Sequence, residues 1–240
     1  MTWSIIARDS ATGQFGIAVA TKFFAVGARV PHIAARFGGI ATQALINPYY
    51  GIDGVKLLRE GRAPQEIIKS LTSADDGRGS RQVHIMDAKG RVAAYTGSEC
   101  VDWCGHIEGE GFSIAGNMLS GAAVLDETAN TYLGNERLPF AQRLIAAMQA
   151  GEAAGGDKRG RQSAALLIHG EEEWSALDLR VDDHADPLRE LERLEQVSRE
   201  RWVHFRQFLP TRKNPAGITD RAIIDASVEA AIARQGSSGA

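Results

Sequence analysis

Cysteine is nearly absent from this sequence. Cys100 and Cys104 are its only two, too few for a disulfide framework, so a reduced, cytoplasmic location is expected. They fall with His106 in a C-x3-C-x-H run with no second cysteine or histidine pair nearby, and no metal site is expected. Long basic blocks are also missing and the net charge is -3, which disfavours nucleic acid as a partner. No apolar run is long enough to span a bilayer, so no membrane contact is expected. No charged segment leads into an apolar core as in a secretory signal. Internal repeats and a βαβ phosphate-loop signature are lacking too, and no motif calls for a cofactor.

What is present is a chain of 240 residues, 44% hydrophobic and 24% charged. That suits one large domain, or one domain with an extension, and can bury a full core. Residues 2–9 read as a β-strand that begins almost at the terminus. Asp9 and Gly13 are turn residues, so residues 14–21 return as the second arm of a hairpin. Residues 39–44 form another strand. Asn47 followed by Pro48 is a helix start, with Ile52, Val55 and Leu58 at helical spacing. A second helix begins at Pro64. Residues 82–87 and 91–96 make a hairpin around Ala88, Lys89 and Gly90, and 112–115 a strand that ends at Gly116 and Asn117. Helices are predicted over 119–132 and 139–150, and strands over 163–169 and 174–181. Further helices are predicted over 188–205 and 219–233, the last capped by Thr219. This order predicts an α+β fold, with antiparallel sheets covered by helices in a four-layer α-β-β-α sandwich. The domain is placed at residues 1–205 and a C-terminal helical extension at 206–240.

Thr2 is the first candidate for chemistry. With Met1 removed it carries a free α-amine beside its own hydroxyl. Such an amine, with a pKa of roughly 8, can act as base for that hydroxyl. The plain alternative is a small polar residue that follows the initiator. Lys22, after the second strand, can sit across the hairpin from Thr2 and favour its neutral amine. Asn117 can offer donors to an oxyanion or simply make a turn. Residues 155–166 set Asp157, Lys158, Arg159, Arg161 and Gln162 on glycine-rich backbone. Glycines allow close approach to an anion, and Arg159 or Arg161 can grip a carboxylate. A solvated loop with one internal Asp–Arg pair is the alternative. Alternation puts Asp178, Arg180 and Asp182 on one strand face, as a self-neutralising row or as a support for the basic loop. Gln43, Asn47, Tyr49 and Tyr50 line a pocket or cap the helix that follows.

As a set, residues 2–9, 41–44, 47–51, 116–119, 155–165 and 178–184 resemble the bacterial family called domain of unknown function 1028, over about residues 2–190. That family is similar to the N-terminal nucleophile hydrolases, in which an N-terminal Thr, Ser or Cys attacks an amide. The resemblance implies their α-β-β-α sandwich and a nucleophile at Thr2, with Lys22 in the place of their lysine near the nucleophile. The tail after Phe205 lies outside it. The reading that follows is a cofactor-free hydrolase of a small linear or cyclic amide. Thr2 is nucleophile and base, and Asn117 the oxyanion donor. Asp157, Arg159 and Arg161 orient the amine or anchor an acidic substrate, with Gln162, Arg180, Asp182, Gln43 and Asn47 beside them. The expected partners are that small molecule and a second copy of the chain, a dimer being the simplest assembly. The alternative is a non-catalytic ligand-binding or assembly protein on the same fold.

Overall fold

The structure, a computed structural model, describes residues 2–237, with the side chains of 235–237 left aside. Ten strands are described: β1 Thr2–Arg8, β2 Phe15–Thr21, β3 Pro31–Ala34, β4 Gly38–Ala44, β5 Arg81–Asp87, β6 Val92–Thr96, β7 Gly105–Gly109, β8 Phe112–Asn117, β9 Ser163–His169 and β10 Ser175–Val181. The α-helices among the described residues number seven: α1 Pro48–Arg59, α2 Pro64–Ser73, α3 Ala123–Gly134, α4 Phe140–Ala153, α5 Pro187–Ser198, α6 Trp202–Phe205 and α7 Arg221–Ser237. This is a mixed α+β fold with two antiparallel sheets. One runs β10-β9-β2-β1-β8-β7 and the other β3-β4-β5-β6.

The first strand is central. Asp9 closes the β1–β2 turn by accepting from the backbone of Thr12 and Gly13, and Gly13 supplies the left-handed φ of 71° that the turn requires. On its other edge β1 pairs with β8, with Thr2 opposite Asn117. Strand alternation sends Thr2, Ser4 and Ile6 to one face and Trp3, Ile5 and Ala7 to the other. Ile6 clusters with Ile17, Val19 and Ala165 of its own sheet and with Ala41 and Met86 of the second, so the Thr2 face is the one turned toward the second sheet. Fully burying each such side chain stabilises by roughly 1.5–3 kcal/mol. The far face of the second sheet packs Ile40, Val83 and Ile85 against Tyr50 and Leu58 of α1 and Ile67 and Ile68 of α2. On the far face of the first sheet Gly16 leaves room for α4: a Cβ there would sit 2.6 Å from Leu144 Cδ1.

Several expectations change. Strands β3 and β7 carry no clear sequence pattern because both are sheet edges, half-exposed and interrupted by Pro31 or by Gly105 and Gly109. Leu119 and Ser120 are not helical. Leu119 bridges to Asp157 and the Ser120 N–H donates to the Gly156 carbonyl, which delays α3 to Ala123. The predicted helix over 188–205 is two helices, α5 and α6. Asp220, not Thr219, caps α7: its Oδ1 accepts from Ala222 N at 2.9 Å, and a carboxylate one residue later satisfies the helix amides at least as well. Packing divides the chain into units Met1–Glu192 and Arg193–Ala240. The boundary read from the sequence at 205/206 falls inside the second. That unit has its own small core of Phe208, Ile224 and Val228 with Phe205 against it, and an Arg201–Asp225 ion pair at 2.7 Å.

Gly38 shows how tightly β4 and β5 pair. Its φ is 134°, and an added Cβ would lie 2.0 Å from the Met86 carbonyl oxygen. Gly38→Ala is therefore expected to lower stability by ~3 kcal/mol or more, because both backbone strain and a backbone clash must be relieved. Urea unfolding of the purified variant checks this, and an unchanged midpoint would contradict it.

Candidate active site

Thr2 opens β1 and is 6% exposed. Its hydroxyl donates to Thr21 Oγ1 at 3.2 Å across the hairpin. Its carbonyl oxygen faces two side-chain amides, Gln43 Nε2 at 3.2 Å and Asn117 Nδ2 at 3.3 Å. Those two amides meet on a third residue that sequence reasoning missed. Gln82 Oε1 accepts from Gln43 Nε2 at 2.8 Å and from Asn117 Nδ2 at 3.0 Å. Gln82 Nε2 in turn lies within hydrogen-bonding distance of Thr96 Oγ1, the Gly105 carbonyl and the Gly116 carbonyl. Gln43 and Gln82 are directly opposite each other in the β4–β5 register. Both are fully buried, so each unmade bond here would cost the desolvation of an amide. The backbone turns left-handed immediately after two of the three amides, at Ala44 (φ 67°) and Met118 (φ 58°), a conformation non-glycine residues adopt only at a cost.

Asn117 was expected to donate to an oxyanion. Its Nδ2 has two hydrogens, and their acceptors here are the Thr2 carbonyl and Gln82 Oε1, so the side chain holds Thr2 in place. Deeper between the sheets the polar seam continues. Ser4 Oγ donates to Gln43 Oε1 at 2.7 Å, so Ser4 Oγ itself accepts from His84 Nε2 at 2.9 Å. His84 Nδ1 is then left to accept from Ser113 Oγ at 3.1 Å. This ladder assigns the Nε2–H tautomer. Burial, aided by the neighbouring charge of His106, lowers the His84 pKa to about 3, and the ring is neutral. Ser4, His84 and Ser113 are completely inaccessible. Their serine–histidine contacts are therefore structural. Gln82, His84 and Met86 share one face of β5, opposite Val83 and Ile85. A polar pair at that spacing in an apolar strand was the available signal.

The glycine-rich loop between α4 and β9 reaches the same end of the sheet as Thr2. Asp157, 4% exposed, accepts the Lys22 backbone N–H at 2.7 Å and the Arg159 N–H at 2.8 Å, and pairs with Arg159 Nη2 at 3.2 Å. The Gln162 N–H donates to the Thr21 carbonyl at 3.0 Å, and its side chain donates to Asp183. Each cation of the loop has an internal acceptor. Lys158 donates to the Asp102 carbonyl, and Arg161 lies between Glu152 at 2.6 Å and Asp186 at 3.5 Å. Lys22 is exposed, and its ammonium reaches the Arg161 carbonyl at 3.0 Å. Arg180 is exposed and 3.9 Å from Asp178. Asp182 enters through its backbone, accepting from Ala25 N. Thr2, Gln43, Asn117, Asp157 and Gln162 are thus gathered at one end of the sheets, while the Arg161 and Arg180 side chains engage other groups.

Asn47 belongs to a second knot. Its Oδ1 caps α1 through Tyr49 N, and its Nδ2 donates to Asp75 Oδ2 at 3.1 Å. Tyr50 and Arg81 donate to the same oxygen. The Asn47 amide, with Arg81 and Gly77 N–H, holds the Asp75 carboxyl well below its ordinary range. Burial, with Asp75 beside it, pushes the Tyr50 hydroxyl up. The knot borders an open cleft of about 430 Å³ between α1 and α2. Arg81 also binds the Leu45 carbonyl, fixing the chain two residues past Gln43. No helix among the described residues is long and apolar enough to cross a membrane.

Fold and site together define an α+β protein of two antiparallel sheets with a buried amide cluster around the start of its central strand. The chain belongs to the family of unknown function DUF1028, whose model matches residues 2–191. A crystal structure of a DUF1028 protein from Silicibacter pomeroyi is 34% identical with a TM-score of 0.84, over 92% of this chain and 96% of that one. Anbu, the ancestral β-subunit from Yersinia bercovieri, aligns at 9% identity and a TM-score of 0.41, over 82% of this chain and 94% of that one. No curated protein matches the chain.

Two measurements probe the seam. Gln82→Leu removes the acceptor of two amides and strands the buried acceptors of its own, so a loss of ~3 kcal/mol or more is expected; an unchanged unfolding midpoint would show that the cluster is dispensable. For His84, unfolding restores a pKa near 6.5. Below that value the unfolded chain binds a proton the folded chain refuses. Stability present in full above it should fall with pH toward the folded value, by up to ~1.4 kcal/mol per pH unit. Urea melts between about pH 6 and pH 4.5, above most carboxylate titration, should show this slope in the wild type and a shallower one in His84→Gln.

Proposed function

We propose that the protein hydrolyses a small amide through an N-terminal nucleophile at Thr2. The observation that carries this reading is the placement of Thr2. It is a hydroxyl at the first position of a central strand, its oxygen hydrogen-bonded to Thr21 and its carbonyl gripped by Gln43 and Asn117. A nucleophile must be held in one attacking geometry, and this arrangement fixes the residue from the carbonyl side. In this reading the sheets and helices form a four-layer α-β-β-α arrangement, and residue 1 is removed so that the amine is free.

Chemistry then proceeds in two steps. Thr2 Oγ attacks the amide carbon as its own amine takes the hydroxyl proton. The C–N bond breaks, that proton leaves with the departing amine, and an ester to Thr2 remains. Water, deprotonated by the same amine, cleaves the ester and restores the hydroxyl. Asp157 sets the position of the chain after Thr21 through the Lys22 N–H, and Arg159 is held against it. No cofactor takes part.

The test begins with the N-terminus. Intact mass should show the chain without Met1, and periodate should convert its terminal Thr2 to a glyoxylyl group, a reaction that needs a free amine next to a hydroxyl. A panel of linear and cyclic amides then identifies a substrate. Thr2→Ala should keep the wild-type melting curve and lower turnover by about 1,000-fold or more. A chain that retains residue 1 in its producing cell, or a Thr2→Ala variant with full turnover, would rule out this mechanism.

A further inference from the structure

The expected anion grip, the 155–162 loop, is neutralised from within by Asp157, Glu152, Asp186 and the Asp102 carbonyl. Charge without a carboxylate partner lies beside that loop, in the connection that follows Thr21. Among the described residues neither Lys22 nor Arg29 has a carboxylate partner. Lys22 reaches only a carbonyl, and the Arg29 guanidinium stands 6.0 Å from the Phe23 ring centroid. Between them Phe23 and Phe24 are 52% and 55% exposed. Two adjacent phenyl rings left in water are costly unless something covers them.

The segment that carries them is firmly tied down. Lys22 N donates to the buried Asp157 carboxylate at 2.7 Å, and Ser163 Oγ donates to the Phe23 carbonyl at 2.5 Å. Ala25 N donates to the Asp182 carbonyl at 3.0 Å, and Val26 N to Ser163 Oγ at 3.2 Å. Gly27 lies flat on the sheet, where a Cβ would come within 2.6 Å of Ala165 and 2.8 Å of the Arg180 stem. The rings are thus displayed by rigid backbone that starts one residue after the partner of the Thr2 hydroxyl. Rings carried on a fixed backbone spare a ligand the cost of ordering that backbone, and a guanidinium without a carboxylate partner beside Phe23 suits a carboxylate.

We propose that the 22–29 segment is the selecting wall of the Thr2 site, and that it takes amides joining an aromatic acyl group to a carboxylate, the chemistry of an N-aroyl amino acid. The proposal rests on the amidase reading of Thr2 for its reaction, but binding can be measured apart from turnover. The probe is N-benzoylglycine, with benzamide (no carboxylate) and N-acetylglycine (no ring) as controls, titrated into the full-length Thr2→Ala chain by calorimetry. N-benzoylglycine should bind at least about tenfold more tightly than either control. Phe23→Ser/Phe24→Ser should weaken it by about tenfold or more. Arg29→Met should erase its advantage over benzamide and leave benzamide itself unchanged. If the double variant melts early, the single Phe24→Ser replaces it. Equal affinity for the three compounds, no binding in the millimolar range, or indifference to the phenylalanines would overturn the proposal. Selective binding without hydrolysis by the wild type would sink the amidase reading alone. Thr2-dependent hydrolysis of N-benzoylglycine that ignores both phenylalanines would sink the wall alone.

Discussion

One amide oxygen organises the interior. Gln82 Oε1 takes a hydrogen from Gln43 and another from Asn117, and those two amides close on the carbonyl of Thr2. Remove that acceptor and one buried Asn117 N–H loses its partner, while Gln43 Nε2 is left with the Thr2 and Ala115 carbonyls. The arrangement needs β4, β5, β8 and β1 all in register. It also needs the chain to turn sharply at Ala44 and Met118 once the amides are placed. The apolar half of the same interface, around Ile6, Ile17 and Met86, supplies the bulk of the burial but no direction. The amides supply direction, since each has few acceptors it can reach and a high cost for missing them.

The groups that grip Thr2 are neutral, and the charged groups stand outside them. Asp157 with Arg159, Asp75 with Arg81, and Arg161 with Glu152 and Asp186 each sit where a strand end or helix end meets a loop. Charges buried between the sheets would have required full pairing in a dry space. Amides orient a carbonyl without that penalty, and their strength does not depend on pH or salt. Histidine at position 84 survives in the seam only because the surrounding hydroxyls accept its neutral form.

Much of this was legible in the sequence. The β1–β2 and β5–β6 hairpins, the Asn47–Pro48 helix start and the β9–β10 pair announce themselves through alternation and turn chemistry, which are local. The edge strands β3 and β7 do not, because half-exposed strands carry no strict pattern. Thr2, Asn117, Gln43 and Asp157 could be picked out as candidates, yet their roles could not be read. Whether Asn117 offers its hydrogens to a ligand or to Gln82 depends on which strands become neighbours. Likewise, Arg161 looks like an anion grip until α4 brings Glu152 beside it. Phe23 and Phe24 are apolar, and only the packing of the 22–29 segment leaves them outside.

The central position of β1 also bears on how the chain assembles during synthesis. β1 and β2 are consecutive in the chain, so they can pair as soon as both are made. The other neighbour of β1 lies far downstream: Asn117 is 115 residues from Thr2. The outer edge of β2 waits longer still, until β9 at residues 163–169 has emerged. Until residues 112–117 are made the hairpin therefore carries two unpaired hydrogen-bonding edges, and until 163–169 are made it still carries one. Long-range pairing of this kind closes slowly, and an exposed hairpin of this composition is open to association with other nascent chains. The nascent hairpin is thus a natural client for chaperones that bind extended apolar chain, and co-expression with such a chaperone is the condition under which recombinant yield should respond most.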